Sequence, residues 1–173
     1  VPSRPDIFAA GRQFPVPAVD FVGFTNDMAT MKTDAQTGGF YRGASGGNGY
    51  RVVLRTDDTF DLYRVNSLRN PPSGCSASSQ TGWGTWSIGT SGSSQTNLGR
   101  QSLPANGLIF LEDHVWVEGQ IDSARVTIAS ARFPENPSTY TSITVNEDLK
   151  YTNYDGQDVL ALIAQNNINI GLF

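Results

Sequence analysis

Three stretches in the last third of this 173-residue chain fit one nine-residue pattern without a gap. They are Ile109-Phe-Leu-Glu-Asp-His-Val-Trp-Val117, Ile143-Thr-Val-Asn-Glu-Asp-Leu-Lys-Tyr151 and Leu162-Ile-Ala-Gln-Asn-Asn-Ile-Asn-Ile170. Each reads apolar-x-apolar, three polar residues, apolar-x-apolar. Alternation of this kind makes each half a short strand with one buried face. The triplets Glu112-Asp113-His114, Asn146-Glu147-Asp148 and Gln165-Asn166-Asn167 then fall at corners between strands. A unit that cannot bury its own apolar side must stack on its neighbours. The expected fold is therefore mainly β: a short parallel β-solenoid, β-helix-like and right-handed by the crossover rule. Its rungs would occupy residues 105–173, with uneven spacing because the pattern starts at 109, 143 and 162.

Composition narrows the class. Hydrophobic residues make up 38% and charged ones 16%, with 18 glycines, a profile of short strands joined by turns. The net charge of −4 disfavours an electrostatic grip on nucleic acid or on anionic lipid. No apolar run is long enough to span a bilayer, so membrane attachment would need a segment outside this chain. The single cysteine, Cys75, excludes an internal disulfide. It is either a solitary thiol in a Ser/Gly loop or a half-cystine with an outside partner. Val1 is not an initiator Met, and Ile168–Phe173 stops on an apolar run where a strand should continue. Both features predict a piece of a longer protein, because a bare last rung offers unpaired backbone groups.

Ahead of the repeats, residues 1–18 carry Pro2, Pro5, Pro15 and Pro17 and read as an extended lead-in. Residues 19–104 read as a small α/β cap with one helix and a hairpin. Asp20 is the expected N-cap. Phe21, Phe24, Met28, Met31 and Ala35 form the apolar stripe, and Gly38-Gly39 is the stop. That stripe suits core packing better than a partner helix. Gly46-Gly47-Asn48-Gly49 opens the hairpin, with Tyr50, Val52 and Leu54 on one strand and Phe60 and Leu62 on the next. Asp57-Asp58 between them is turn chemistry rather than a carboxylate dyad. Gly82–Ile88 reads as a strand in a loop-rich stretch, Val126-Thr127-Ile128 as a further short strand, and Arg132–Thr141 as a loop.

No arrangement of residue types singles out a reaction. Glu112, Asp113 and the only histidine, His114, could meet Glu147 and Asp148 of a neighbouring rung to hold an ion. The third triplet carries only amides, and any solenoid needs polar corners, so no metal, cofactor or catalytic residue is assigned. Phosphate-binding glycine signatures are absent from the sequence. Trp83, Trp86 and Trp116 are the candidate contact surface, since exposed indoles stack on sugar rings. Trp116 falls on the outward side between Val115 and Val117, where the loop Arg132–Thr141 could rest on it. The outward positions Phe110, Trp116, Thr144, Lys150, Ile163 and Asn169 form no threonine ladder of the kind an ice-binding face needs.

Several stretches resemble the soluble part of PilX-type pilus-assembly proteins, which are pilin-like bacterial surface proteins. The likeness lies in Val19–Lys32, Gly82–Ser87, Gly107–Gly119, Arg125–Ala129, Tyr151–Gly156 and Leu162–Gly171. The resemblance implies an envelope-exposed domain carried on an N-terminal hydrophobic helix, which this sequence lacks. It points to a non-enzymatic structural or adhesive module, extracellular, with other pilus subunits or surface proteins as partners. A carbohydrate-binding secreted β-solenoid adhesin and a β-helix polysaccharide-degrading enzyme are the alternatives. DNA uptake is opposed by the acidic balance.

Overall fold

The computed structural model describes residues 21–69 and 87–171, with side chains from residue 26 onward. The chain runs through α1 (Phe21–Gly38), β1 (Phe40–Arg42), β2 (Gly49–Leu54), β3 (Thr59–Val65), β4 (Gln95–Ser102) and β5 (Leu108–Leu111). It continues through β6 (Val115–Ile121), β7 (Arg125–Ser130), β8 (Ile143–Tyr151), β9 (Val159–Ala164) and β10 (Ile168–Ile170). The expected N-cap Asp20, the lead-in, Cys75, Trp83 and Trp86 lie outside the described residues.

The strands form two sheets packed face to face. One is parallel throughout, in the order β1-β5-β7-β9. The other has six strands in the order β10-β8-β6-β2-β3-β4. Its β10, β8, β6 and β2 are parallel, while β2, β3 and β4 form an antiparallel meander. Between the sheets lies the main core, with Ile109, Leu111, Val126 and Ile128 from one and Val52, Leu62, Val117 and Ile143 from the other. Each such aliphatic side chain contributes about 1.5–3 kcal/mol by leaving water.

This arrangement corrects the expected solenoid. The fold is a pair of sheets, one of them mixed, with a helix on one outer face. β1 and β2 are built into the sheets beside β5 and β6. The nine-residue pattern also has two structural meanings. At 112–114 and 165–167 the chain does turn, between β5 and β6 and between β9 and β10. At 146–148 it does not, because Ile143–Tyr151 is one continuous strand. Val117 pairs Val145 and Gly119 pairs Leu149, so Asn146-Glu147-Asp148 faces Glu118 alone as a bulge. The extra residues come as an even number, which keeps the alternation in phase across the bulge. From sequence a bulge of this kind looks like a corner.

Two glycines fix the β2–β6 pairing. Gly49 (φ 142°) and Gly119 (φ 107°) sit at its two ends, in conformations that side-chain-bearing residues avoid. A Cβ on Gly49 would lie 2.2 Å from the His114 carbonyl oxygen, and one on Gly119 would lie 2.2 Å from that of Leu54. In the β2–β3 turn, Asp58 takes φ 57° and Asp57 accepts a hydrogen bond from Thr59 Oγ1 at 2.5 Å. The acid pair therefore serves the turn. On the outer face of the four-stranded sheet, α1 packs Met28 and Ala35 onto Leu108, Phe110, Ala129 and Ala131. Met28, Ala35 and the partly buried Met31 belong to the predicted stripe, while the side chains of Phe21 and Phe24 lie outside the described residues.

Candidate functional site

Charged side chains concentrate at two places. The first is the corner Glu112-Asp113-His114 under the C-terminal half of α1. Lys32 lies on the buried face of α1, one turn from Met28, and its Nζ reaches Glu112 Oε1 at 2.5 Å. Tyr41 Oη donates to Glu112 Oε2 at 2.7 Å and is held in its protonated form by burial and by that carboxylate. Asp113 accepts from the Ser45 amide and hydroxyl at 2.9 and 2.7 Å, and from Arg132 Nη2 at 2.8 Å. The Ser142 amide donates to His114 Nδ1 at 3.1 Å, which requires that nitrogen to be unprotonated. Burial pushes the His114 pKa below its ordinary value. Asp113 pulls the other way and Arg132 adds to the fall.

The corner therefore ties α1, the β1–β2 segment, the β5–β6 turn and the loop after β7 into one block. It does not assemble the ion site that the sequence raised. Ser142, not Glu147, lies beside His114, and Glu147 is five residues farther along the chain, about 16 Å if extended. Among the described residues no group of three or more His, Cys, Asp or Glu side chains converges on one point.

The second place is the outer face of the six-stranded sheet. Strand register puts Asn97, Tyr63, Arg51, Trp116, Thr144 and Asn169 in one row across all six strands. Trp116 does point away from the intersheet core, as the alternation predicts, but it is fully buried. Its roof is Val65, Leu68 and Ile88. Arg69 N to Ser87 O (2.7 Å) and Gly89 N to Ser67 O (2.9 Å) hold that roof together. Trp116 is thus no exposed contact surface. Nor does Arg132–Thr141 cover it, since that loop lies on the helix side, where Phe133 stacks on Phe110 with ring centres 6.5 Å apart. A sequence template gives the direction of a side chain and cannot say which distant segment covers it.

Beside Trp116 the row becomes polar. Arg51 pairs with Glu118, donates to Gln95 Oε1 at 3.0 Å and lies over the Tyr63 ring at 5.4 Å. Asn146, from the β8 bulge, donates to the other Glu118 oxygen at 2.6 Å. A groove of about 310 Å³ opens here, lined by Arg51, Arg69, Ser87, Gln95, Asn146 and Glu147 among others. Three buried polar atoms in the row have no hydrogen-bond partner: Arg51 Nε, Thr144 Oγ1 and Asn169 Nδ2. Lys32, Arg51, Glu118 and Arg132 escape sequence reading because their partners are remote in the chain. The one local signal was Lys32, a charge set inside the helix's apolar stripe.

Among the described residues no helix is long and apolar enough to cross a membrane. The chain matches no known family model, no curated protein and no solved structure.

Proposed function

We propose that this chain is a non-enzymatic structural or adhesive module of a pilin-like cell-surface protein, displayed outside the cell with other surface subunits as partners. The observation that carries the structural reading is the use made of the buried carboxylates. Asp61, Glu112, Asp113, Glu118 and Asp158 are each at most 8% exposed. The first four are ion-paired to Arg55 and Arg100, Lys32, Arg132 and Arg51. Asp158 accepts from the backbone amides of Ala124 (3.3 Å) and Asn153 (3.1 Å). Acid–base catalysis asks for a carboxyl within reach of substrate at a tuned pKa. Here each carboxylate joins separate segments of the chain instead.

The pilin-like part rests on the resemblance, whose described residues fall mainly in α1, the β5–β6 corner, β7, the end of β8 with the loop after it, and the β9–β10 corner. Reading the gene upstream of Val1 tests it. A short basic leader, a processing site and about twenty apolar residues support it; their absence removes it and leaves a secreted module.

The outer-face groove favours a second reading, glycan binding, because it lines guanidinium, amide and hydroxyl groups along one surface. Calorimetric titration against a glycan panel decides between the two. Binding that Arg51→Gln abolishes would put the sugar reading first, and silence across the panel would remove it.

A further inference from the structure

We infer that the Lys32–Glu112 pair is a modification site, where amine and carboxyl condense to an amide that cross-links α1 to the β5–β6 corner. Lys32 Nζ lies 2.5 Å from Glu112 Oε1. A carboxyl C–O bond is about 1.2 Å long, so the Glu112 carboxyl carbon stands within about 3.7 Å of the amine. Reacting atoms about 3–3.5 Å apart are in attacking range, and a small side-chain swing closes the difference. Glu112 is buried, and the Lys32 side chain is mostly covered. Tyr41, Phe110 and Phe133 stack in a row beneath the pair. Nζ lies 5.7 Å from the ring centres of both Tyr41 and Phe133. These rings keep water from one side of the pair, and water is the product that must leave.

The choice of cation sets this corner apart. The chain has ten arginines and two lysines, Lys32 and Lys150. Asp61, Asp113 and Glu118 are held by arginine, the usual partner in a buried ion pair and no nucleophile. Of the buried carboxylates among the described residues, Glu112 alone is paired with a lysine, while Lys150 pairs at the surface. A primary amine can be acylated. In the step, the Nζ ammonium passes a proton to Oε1 along their hydrogen bond, leaving a neutral amine beside a neutral acid. The nitrogen lone pair adds to the carboxyl carbon, and the charge building on Oε2 is met by the Tyr41 hydroxyl at 2.7 Å. A second proton moves from nitrogen to Oε1, the bond from carbon to Oε1 breaks, and one water leaves. One C–N bond has replaced one C–O bond, with nothing oxidised or reduced. Groups held this closely react as if at about 10⁵ M or more, which offsets the excess of water that favours hydrolysis. The link joins positions 80 apart, so a load entering through α1 and leaving beyond β5 would bypass residues 33–111. The inference rests on the corner alone and stands whether or not the pilin-like reading holds.

Intact-mass spectrometry of the whole chain in acid tests it, because an ion pair falls apart there and an amide survives. After incubation of the folded chain, its mass should be one water below the value its sequence requires. Proteolysis should then release one branched peptide containing both Lys32 and Glu112. Lys32→Arg keeps the charge pair, and should return the mass to the sequence value. A parent chain at its sequence mass, with no branched peptide, would overturn the proposal and leave a plain ion pair. So would a water loss that Lys32→Arg retains, since it would place the dehydration elsewhere, as at Asp155-Gly156.

Discussion

The six-stranded sheet ends on two edge strands that meet the same physical hazard in opposite ways. β4 is eight residues of mostly polar sequence, Gln95-Thr-Asn-Leu-Gly-Arg-Gln-Ser102. Its register slips between Leu62 and Tyr63, Gly99 takes φ 94°, and Arg100 places a charge on the strand. Behind it, Phe60 and Leu62 are fully buried. β10 is three residues, Ile-Asn-Ile, with no charge and no bulge, and its apolar side chains stand in solvent. Bulges and charges stop an edge from pairing with another chain. One edge is guarded and the other is not, although both draw on the same alternating strand chemistry.

The largest effect should come from removing the same side chain at each end. Leu62→Ala opens a cavity behind the finished edge and should cost about 2–5 kcal/mol in urea denaturation. Leu162→Ala, on half-covered β9, should cost no more than about half of that, since its side chain already meets water. Equal costs would show that the two ends are equally sealed and would break the comparison.

Much of the finished end was legible in the sequence. The β2–β3 hairpin, the Asp57-Asp58 turn and the α1 stripe are local, and spacing alone carries them. The turns at 112–114 and 165–167 were legible for the same reason. What failed was non-local. The bulge at 146–148 imitates a corner because an even insertion preserves alternation, and only the pairing of β6 with β8 tells them apart. The meander β2-β3-β4 joins the strands of the repeats in one sheet, which no periodicity announces. Trp116 was placed on the correct side of its strand and given the wrong cover, because its roof comes from residues 65, 68 and 88. The ion pairs Lys32–Glu112 and Arg51–Glu118 join residues 80 and 67 positions apart, beyond the reach of any motif.

Acid should separate the two ends next. Asp61, buried behind β4, is held below the ordinary carboxylate range, chiefly by the hydrogen bond from Arg100 and also by Arg55, with burial opposing. A depressed folded pKa means that the unfolded chain binds the proton first. Its contribution is therefore complete above about pH 4 and is lost as pH falls through the folded value. His114, depressed by burial, adds an earlier loss that begins below about pH 6.5. Asp61→Asn should cost about 1 kcal/mol at neutral pH, given the half-exposed partner Arg100, and should flatten the lower limb of the stability–pH curve. β9 and β10 carry no titratable side chain, so hydrogen exchange there should show no acid-dependent loss of its own. A lower limb unchanged in Asp61→Asn would assign the acid sensitivity elsewhere.

The smallest effect asks which device guards β4. Arg100 is its only charged residue, and its side chain is half exposed. Arg100→Gln leaves Asp61 paired with Arg55 at 2.8 Å and should change stability little, because exposed ion pairs contribute little. The bulge and the left-handed Gly99 remain, so the strand stays bent away from the straight geometry a second strand would need. Arg100→Gln should therefore leave the state of association of the chain unchanged in sedimentation. New association through β4 would mean that a single charge was the guard there. It would also make the bare edge of β10 a difference of one residue type, with backbone geometry playing no part.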